Sequence, residues 1–147
     1  MSPYFTPEGD PKLFRCGCGR PECSAPAPSQ TLLDRLELLR HRIGRSLRAT
    51  SGPRCPFWNT HEGGARTSDH LTGEGVDLEA ATSGARDELL EAIYAKPRYF
   101  PRVGIGSSFV HVGLEGPERP PRLTWTYYPK PAPPAKPAPP AKPAPPA

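Results

Sequence analysis

The chain has 147 residues and a formal net charge of +4, and ten of its 23 prolines fall in residues 129–147. Three of the positive charges, Lys130, Lys136 and Lys142, lie in that tail, so residues 1–128 carry only +1 and a basic nucleic-acid-binding face is not expected. No apolar run approaches the roughly 20 residues that span a bilayer, and residues 1–10 have neither a basic patch nor an apolar core, so no membrane span and no secretory signal are expected. The expectation is a protein made in the cytoplasm and delivered to its place of action by another route. Residues 1–128 suffice for one domain with one modest core.

Residues 1–28 are rich in Pro, Gly and Cys and predict an irregular arm. Over 29–44, Leu32, Leu33, Leu36, Leu39 and Ile43 recur at spacings of three and four, which predicts a helix with one apolar face. Ser29 is placed to cap its start and Gly44 to end it. A short strand is expected over 46–50, broken by Ser51-Gly52-Pro53. Residues 52–75 hold five glycines and few apolar residues, which predicts a long loop of the kind that carries function. A strand is expected over 75–78. A second helix is expected over 83–96, capped by Ser83, with Leu89, Leu90, Ile93 and Tyr94 inward and Pro97 beyond its end. Three β-rich runs follow at 102–105, 109–114 and 123–128. Two main helices and about five short strands predict an α+β domain over 29–128 with a small, mainly antiparallel sheet. Residues 129–147 repeat Ala-Lys-Pro-Ala-Pro-Pro with a period of six, which favours polyproline II without fixed tertiary structure. Such a tail is expected to serve as a spacer or solubilising segment, to dock a partner, or to anchor at the cell wall through its spaced lysines.

The long loop and the later strands hold a candidate metal set. His70 and Asp77 are seven apart, so they are not a helical i, i+4 pair, but a loop His and an Asp on the next strand can converge. His111 lies between Val110 and Val112, and strand alternation puts it on the face opposite both valines. Two imidazoles and one carboxylate form a donor set that zinc accepts in open catalytic sites, where the fourth position is left for water. His41 and His61 are expected in solvent.

Three strings carry more specific information. They are Ser51-Gly-x-Arg54-x-Pro-x-x-Asn59, then Gly63-Gly-Ala-x-x-Ser68-x-His70-x-x-Gly-x-x-x-Asp77, and Gly104-Ile-Gly-x-x-Phe-Val-His111-Val. Together they closely resemble the zinc D-alanyl-D-alanine carboxypeptidase family, which includes VanY-type enzymes and phage cell-wall endopeptidases and shares its fold with the hedgehog signalling domain. The likeness covers roughly residues 32–128, and Tyr4-Phe5-Thr6 with Phe14-Arg15-Cys16-Gly-Cys18-Gly resembles the small phage and prophage branch. The resemblance implies zinc held by His70, Asp77 and His111, with Arg54 holding the carboxylate or a carbonyl of a peptide and Ser68 hydrogen-bonding substrate. Gly63 and Gly64 let the backbone approach the site, and Trp125 is a late aromatic that packs or lines the groove. It further implies a peptidase acting on D-Ala-containing peptidoglycan stem peptides at the bacterial cell wall or periplasm, for phage lysis or as part of a virion. The partners would be a peptidoglycan peptide and, through the tail, a phage particle protein. A non-catalytic wall-binding or particle module that keeps zinc for stability is the alternative.

The chain departs from the family pattern at two positions. The acidic residue three before the last His is replaced by Ser108, and the Asp two after it by Gly113. The acid/base carboxylate that hydrolysis needs must come from elsewhere, with Glu115 and Glu74 ranked ahead of Asp69 and Glu62. Cys16, Cys18, Cys23 and Cys55 are the only cysteines. They read as a second, structural zinc site, as one or two disulfides, or as free thiols. Synthesis in a reducing compartment favours thiolates on metal.

Overall fold

The computed structural model describes residues 2–127, 135 and 137–146. Residue 128, expected to end the last strand, and residues 129–134, 136 and 147 of the expected polyproline tail lie outside the described residues. The described tail positions are exposed and carry no regular secondary structure.

The elements run α1 (Pro11–Phe14), α2 (Gln30–Ile43), β1 (Ala49–Ser51), α3 (Pro56–His61), a 3-10 turn (Asp69–Thr72), β2 (Gly75–Glu79), α4 (Ser83–Tyr94), β3 (Arg102–Ile105), β4 (Phe109–Gly113) and β5 (Leu123–Thr126). The class is α+β, with one five-stranded sheet in the order β1-β2-β4-β3-β5. Every pairing is antiparallel except β3 with β5. Ser29 caps α2 by accepting the Leu32 N–H, and Gly44 closes it in the left-handed conformation.

Several local expectations shift. β1 includes Ser51, whose backbone still pairs with β2. The cap of α4 is Thr82, which accepts the Ala85 N–H, so Ser83 is the first helical residue. Tyr94 points outward, 46% exposed, and shares a 2.9 Å hydrogen bond with Thr124. The arm and the long loop each contain a short helix, α1 and α3, which begin at Pro11 and Pro56. Proline is suited to the first helical position because its missing N–H has no helical partner there.

The two faces of the sheet differ. Val76, Leu78, Val103, Val110 and Val112 point one way and meet Leu32, Leu33, Leu36 and Leu39 of α2 and Leu89 and Ile93 of α4 in one core. The arm adds Phe5 and Leu13 to it. Alternation puts Asp77, Arg102, Gly104, His111 and Trp125 on the other face. Among the described residues no helix is long and apolar enough to cross a membrane. Leu36 is fully buried, so Leu36→Ala is expected to cost about 2–5 kcal/mol, read as a lowered midpoint in thermal or urea unfolding.

Candidate metal centre

The register of the sheet builds the site. Ser51 pairs with Asp77, Asp77 with His111, His111 with Gly104, and Gly104 with Trp125. These five residues form one row across all five strands. Residues 34 apart in sequence, Asp77 and His111, thereby become direct neighbours. Gly104 leaves room in the row, since a Cβ there would come within 2.8 Å of the Trp125 ring. Trp125 tilts against His111 with ring centroids 5.4 Å apart.

His70 enters from above the row on the 3-10 turn. Ser68 caps that turn by accepting the His70 N–H at 3.3 Å. The His70 Nδ1 lies 2.7 Å from the Gly52 carbonyl, which fixes its proton there and leaves the Nε2 lone pair free. The His111 Nε2 lies 2.8 Å from the Asp69 carboxylate and donates to it, which leaves the Nδ1 lone pair free. These two lone pairs and an oxygen of Asp77 converge. His111 Nδ1 is 2.9 Å from Asp77 Oδ1 and 3.2 Å from His70 Nε2, and His70 Nε2 is 3.3 Å from the same oxygen.

Three lone pairs held this close repel one another unless a cation or a proton lies among them. Ligand bonds of about 2.0–2.1 Å in a tetrahedral zinc site place ligand atoms about 3.3 Å apart, close to the spacing found. Both imidazoles also carry the outer hydrogen bond, to a carbonyl and to a carboxylate, that orients metal-bound histidines. The donor set, the spacing and the outer partners therefore fit zinc.

The charges around the centre are balanced by side chains. Asp69 is buried, yet its two oxygens receive Arg102 Nε at 2.9 and 3.2 Å, Arg119 Nη1 at 3.4 Å and the His111 imidazole. Burial alone would raise its pKa, but the His111 hydrogen bond and the charges of His111, Arg102 and Arg119 outweigh it and hold the carboxyl below its usual range. Asp77 is lowered as well: burial opposes ionisation, and the adjacent His111 and His70 imidazoles overcome it. For His70 burial dominates and lowers the pKa despite Asp77. For His111 burial is overcome by Asp69 and Asp77, and the pKa rises.

The site opens into a cavity of about 910 Å³. Its wall includes Lys12, Arg15 and Gly17 of the arm, Gly52 to Arg54, Glu62 to Ala65, and Phe109, Trp125 and Tyr127 of the sheet. Arg54 lies in this wall with its guanidinium largely committed. Nε and Nη2 donate to Ser51 Oγ, Nη1 to Asn59 Oδ1, and Nη2 also reaches Asp77 Oδ2 at 3.5 Å. One of its five N–H groups remains for a ligand. Gly64 is tight against Asn59, whose amide a Cβ at Gly64 would strike. Ser68 lines the cavity as well as capping the turn. Trp125 both packs on His111 and lines the cavity. His41 and His61 are exposed, and His61 stacks on Trp58.

The carboxylates sort differently from their sequence ranking. Glu74 and Glu115 are not among the cavity-lining residues. Glu74 is bound to Arg119, and Glu115 points into solvent. Glu62 and Asp69 do line the cavity. The role of Asp69, as the outer partner of His111, escapes sequence reasoning because it depends on a contact across 42 residues. The signal that could have found it is the glycine at 113. A Cβ on Gly113 would run into the Asp69 carboxylate, so the side chain absent from position 113 is replaced in space by the one at 69. Tyr127, at the last strand's end, also lines the cavity, at a position no sequence motif marks. Its phenol, pushed up to about 12 chiefly by burial, keeps its proton at neutral pH and is a donor facing the cavity.

Two measurements follow from this geometry. Metal must displace the proton that the raised His111 retains, so zinc affinity is expected to climb as pH is raised and to weaken as it is lowered; competition with a chromophoric chelator across pH checks the sign. Asp69→Asn and Gly113→Ala should each lower zinc affinity about 10–100-fold, because the first removes the charge of the acceptor at His111 Nε2 and the second displaces that acceptor.

A comparison with curated proteins finds no match. A family model described as Peptidase M15 matches residues 3–113. That span takes in the arm, all three proposed metal ligands and Arg54. The chain belongs to the Peptidase M15 family, zinc metallopeptidases of the D-Ala-D-Ala carboxypeptidase (VanY) type.

Proposed function

We propose that this chain is a zinc-dependent peptidase that hydrolyses D-Ala-containing stem peptides or cross-links of peptidoglycan, in phage or prophage lysis or in wall opening by a virion. The observation that carries this reading is the convergence of His70 Nε2, His111 Nδ1 and Asp77 Oδ1 at the floor of an open cavity. When bound by those three residues, zinc supplies Lewis acidity, which acidifies water and polarises a carbonyl. The chain's own residues supply the rest. Lys12 and Arg15 on the rim favour a peptide that carries carboxylates, as stem peptides do. Arg54 offers its remaining N–H to a substrate carboxylate or carbonyl. Ser68, whose oxygen already accepts from His70, has its own proton left to donate to substrate. The protonated Tyr127 phenol is a third donor, available to developing negative charge on the carbonyl oxygen.

The proton relay is the open step. Asp69 is held ionised between two arginines and an imidazole, which removes it as a base for water. Among the described residues Glu62 lines the cavity and no ion pair holds it, so it stands first as general base, ahead of Glu74 and Glu115. The second reading, a wall-binding or particle module that keeps zinc for stability, draws support from Ser108 and Gly113, neither of which supplies a carboxylate.

Incubation of the zinc-loaded protein with purified peptidoglycan or an L-Lys-D-Ala-D-Ala peptide is expected to release D-Ala or cleave cross-links, and His111→Ala should abolish this. Glu62→Gln is expected to lose about 10²–10⁴ of the rate while retaining zinc, with Glu74→Gln and Glu115→Gln close to wild type. Substrate binding without turnover, across pH and added metals, would establish the module instead.

A further inference from the structure

The cysteines remain outside the chemistry above. Cys16, Cys18 and Cys23 belong to the arm, Cys55 to the loop before α3, and the four Sγ atoms all lie within 4.8 Å of one another. No pair among them is joined in a disulfide. Cys16 Sγ and Cys55 Sγ are 3.7 Å apart. That is far beyond the S–S bond length of about 2.05 Å, and it is the edge of a tetrahedron whose centre lies about 2.3 Å from each sulfur, the zinc–thiolate distance.

A second observation points the same way. Each sulfur accepts a backbone N–H. Arg20 donates to Cys18 at 3.4 Å, Ala25 to Cys23 at 3.5 Å, Cys55 to Cys16 at 3.4 Å, and Trp58 to Cys55 at 3.5 Å. In two of the four the donor is two residues beyond the acceptor cysteine. Neutral thiols are weak acceptors and need no such partners, whereas a cluster of thiolates around a cation is stabilised by them. Four soft sulfur donors in tetrahedral array select zinc over the oxygen-seeking divalent ions.

We propose that Cys16, Cys18, Cys23 and Cys55 bind a second zinc ion, structural and separate from the His70, Asp77 and His111 centre. The sulfurs supply all four positions, so no site is left for water or substrate. The ion ties the arm to the loop that follows β1. The arm otherwise holds there through α1, whose backbone at Lys12 and Leu13 packs so closely on Gly52 that a Cβ at Gly52 would come within 2.8 Å of the Leu13 carbonyl. Because Lys12, Arg15 and Gly17 form part of the cavity wall, the second ion fixes that wall.

The full chain, purified under reducing conditions without chelator, should carry two zinc ions by elemental analysis. His111→Ala should retain one, and Cys18→Ser should retain one. Cobalt substituted into His111→Ala should show intense sulfur-to-metal charge-transfer absorption, a signature that imidazole and carboxylate donors do not produce. If Cys18→Ser fails to fold, the cobalt spectrum of His111→Ala decides alone. A single zinc in the wild type that disappears in His111→Ala would overturn the proposal. So would a disulfide between any two of the four cysteines in a peptide map of the native protein, or four thiols that all react with a thiol reagent without release of metal. None of these readouts uses peptidase activity, so an inactive protein with two zinc ions would sink the proposed hydrolysis and leave this site standing.

Discussion

Burial of charge governs how this site is built. Asp69 and Asp77 are both nearly inaccessible, and an uncompensated buried charge costs several kcal/mol. The chain answers with a connected set of cations and imidazoles. Glu74 holds Arg119, Arg119 and Arg102 hold Asp69, Asp69 holds His111, His111 meets Asp77, and Asp77 meets Arg54. Each of the two buried carboxylates thereby has three partners, Arg102, Arg119 and His111 for Asp69 and Arg54, His70 and His111 for Asp77. The imidazole of His111 is gripped at both nitrogens, so its ring orientation is set before any metal arrives. Such preorganisation is what a metal centre needs if binding is not to be spent on ordering ligands.

Much of this architecture was legible in the chain itself. The leucine spacing and the flanking Ser29 and Gly44 define α2 because helix period and cap chemistry are local properties. The Val110-His111-Val112 alternation placed His111 away from the valines because strand geometry is also local, and both valines lie in the core. The arm and the long loop were less legible. Their prolines read as breakers, although at Pro11 and Pro56 they start helices. Tyr94 fits the apolar period of α4, but its hydroxyl finds Thr124 at the surface, and a polar tip with a partner outweighs the pattern. The metal set lay in between. Nothing in the spacing of His70, Asp77 and His111 requires them to meet; strand pairing brings two of them together, and only the likeness to a known pattern identified the trio.

The two departures from that pattern have different structural meanings. Ser108 lies in the turn between β3 and β4, where its carbonyl accepts the Ala80 N–H and its side chain is exposed. Gly113 lies two residues beyond His111 on the same face of β4, and its missing side chain is what admits Asp69. A carboxylate at 113 and one at 69 would claim the same space. The chain therefore keeps negative charge beside His111 but supplies it from the 3-10 turn. The two arginines that make this burial tolerable also bind the proton-accepting oxygens of Asp69. A carboxylate that orients an imidazole is thereby lost to proton transfer, and under the proposed hydrolysis that task falls to another residue of the cavity wall.

The loop from Ser51 to Cys55 shows how the arm and the metal centre become one unit. Ser51 pairs with Asp77 and holds the Arg54 guanidinium. The Gly52 carbonyl fixes His70, while its Cα side is pressed against α1. The Arg54 N–H donates to the His70 carbonyl at 2.9 Å. The Cys55 N–H donates to Cys16 of the arm. Within five residues the chain contacts a ligand pair, a guanidinium and the cysteine cluster. A displacement of the arm thus reaches His70 through the Gly52 carbonyl, without passing through the hydrophobic core. With the core on the far face of the sheet, the arm meets the polar face at Gly52 and at the cysteine cluster, and the proposed second ion would fasten it there.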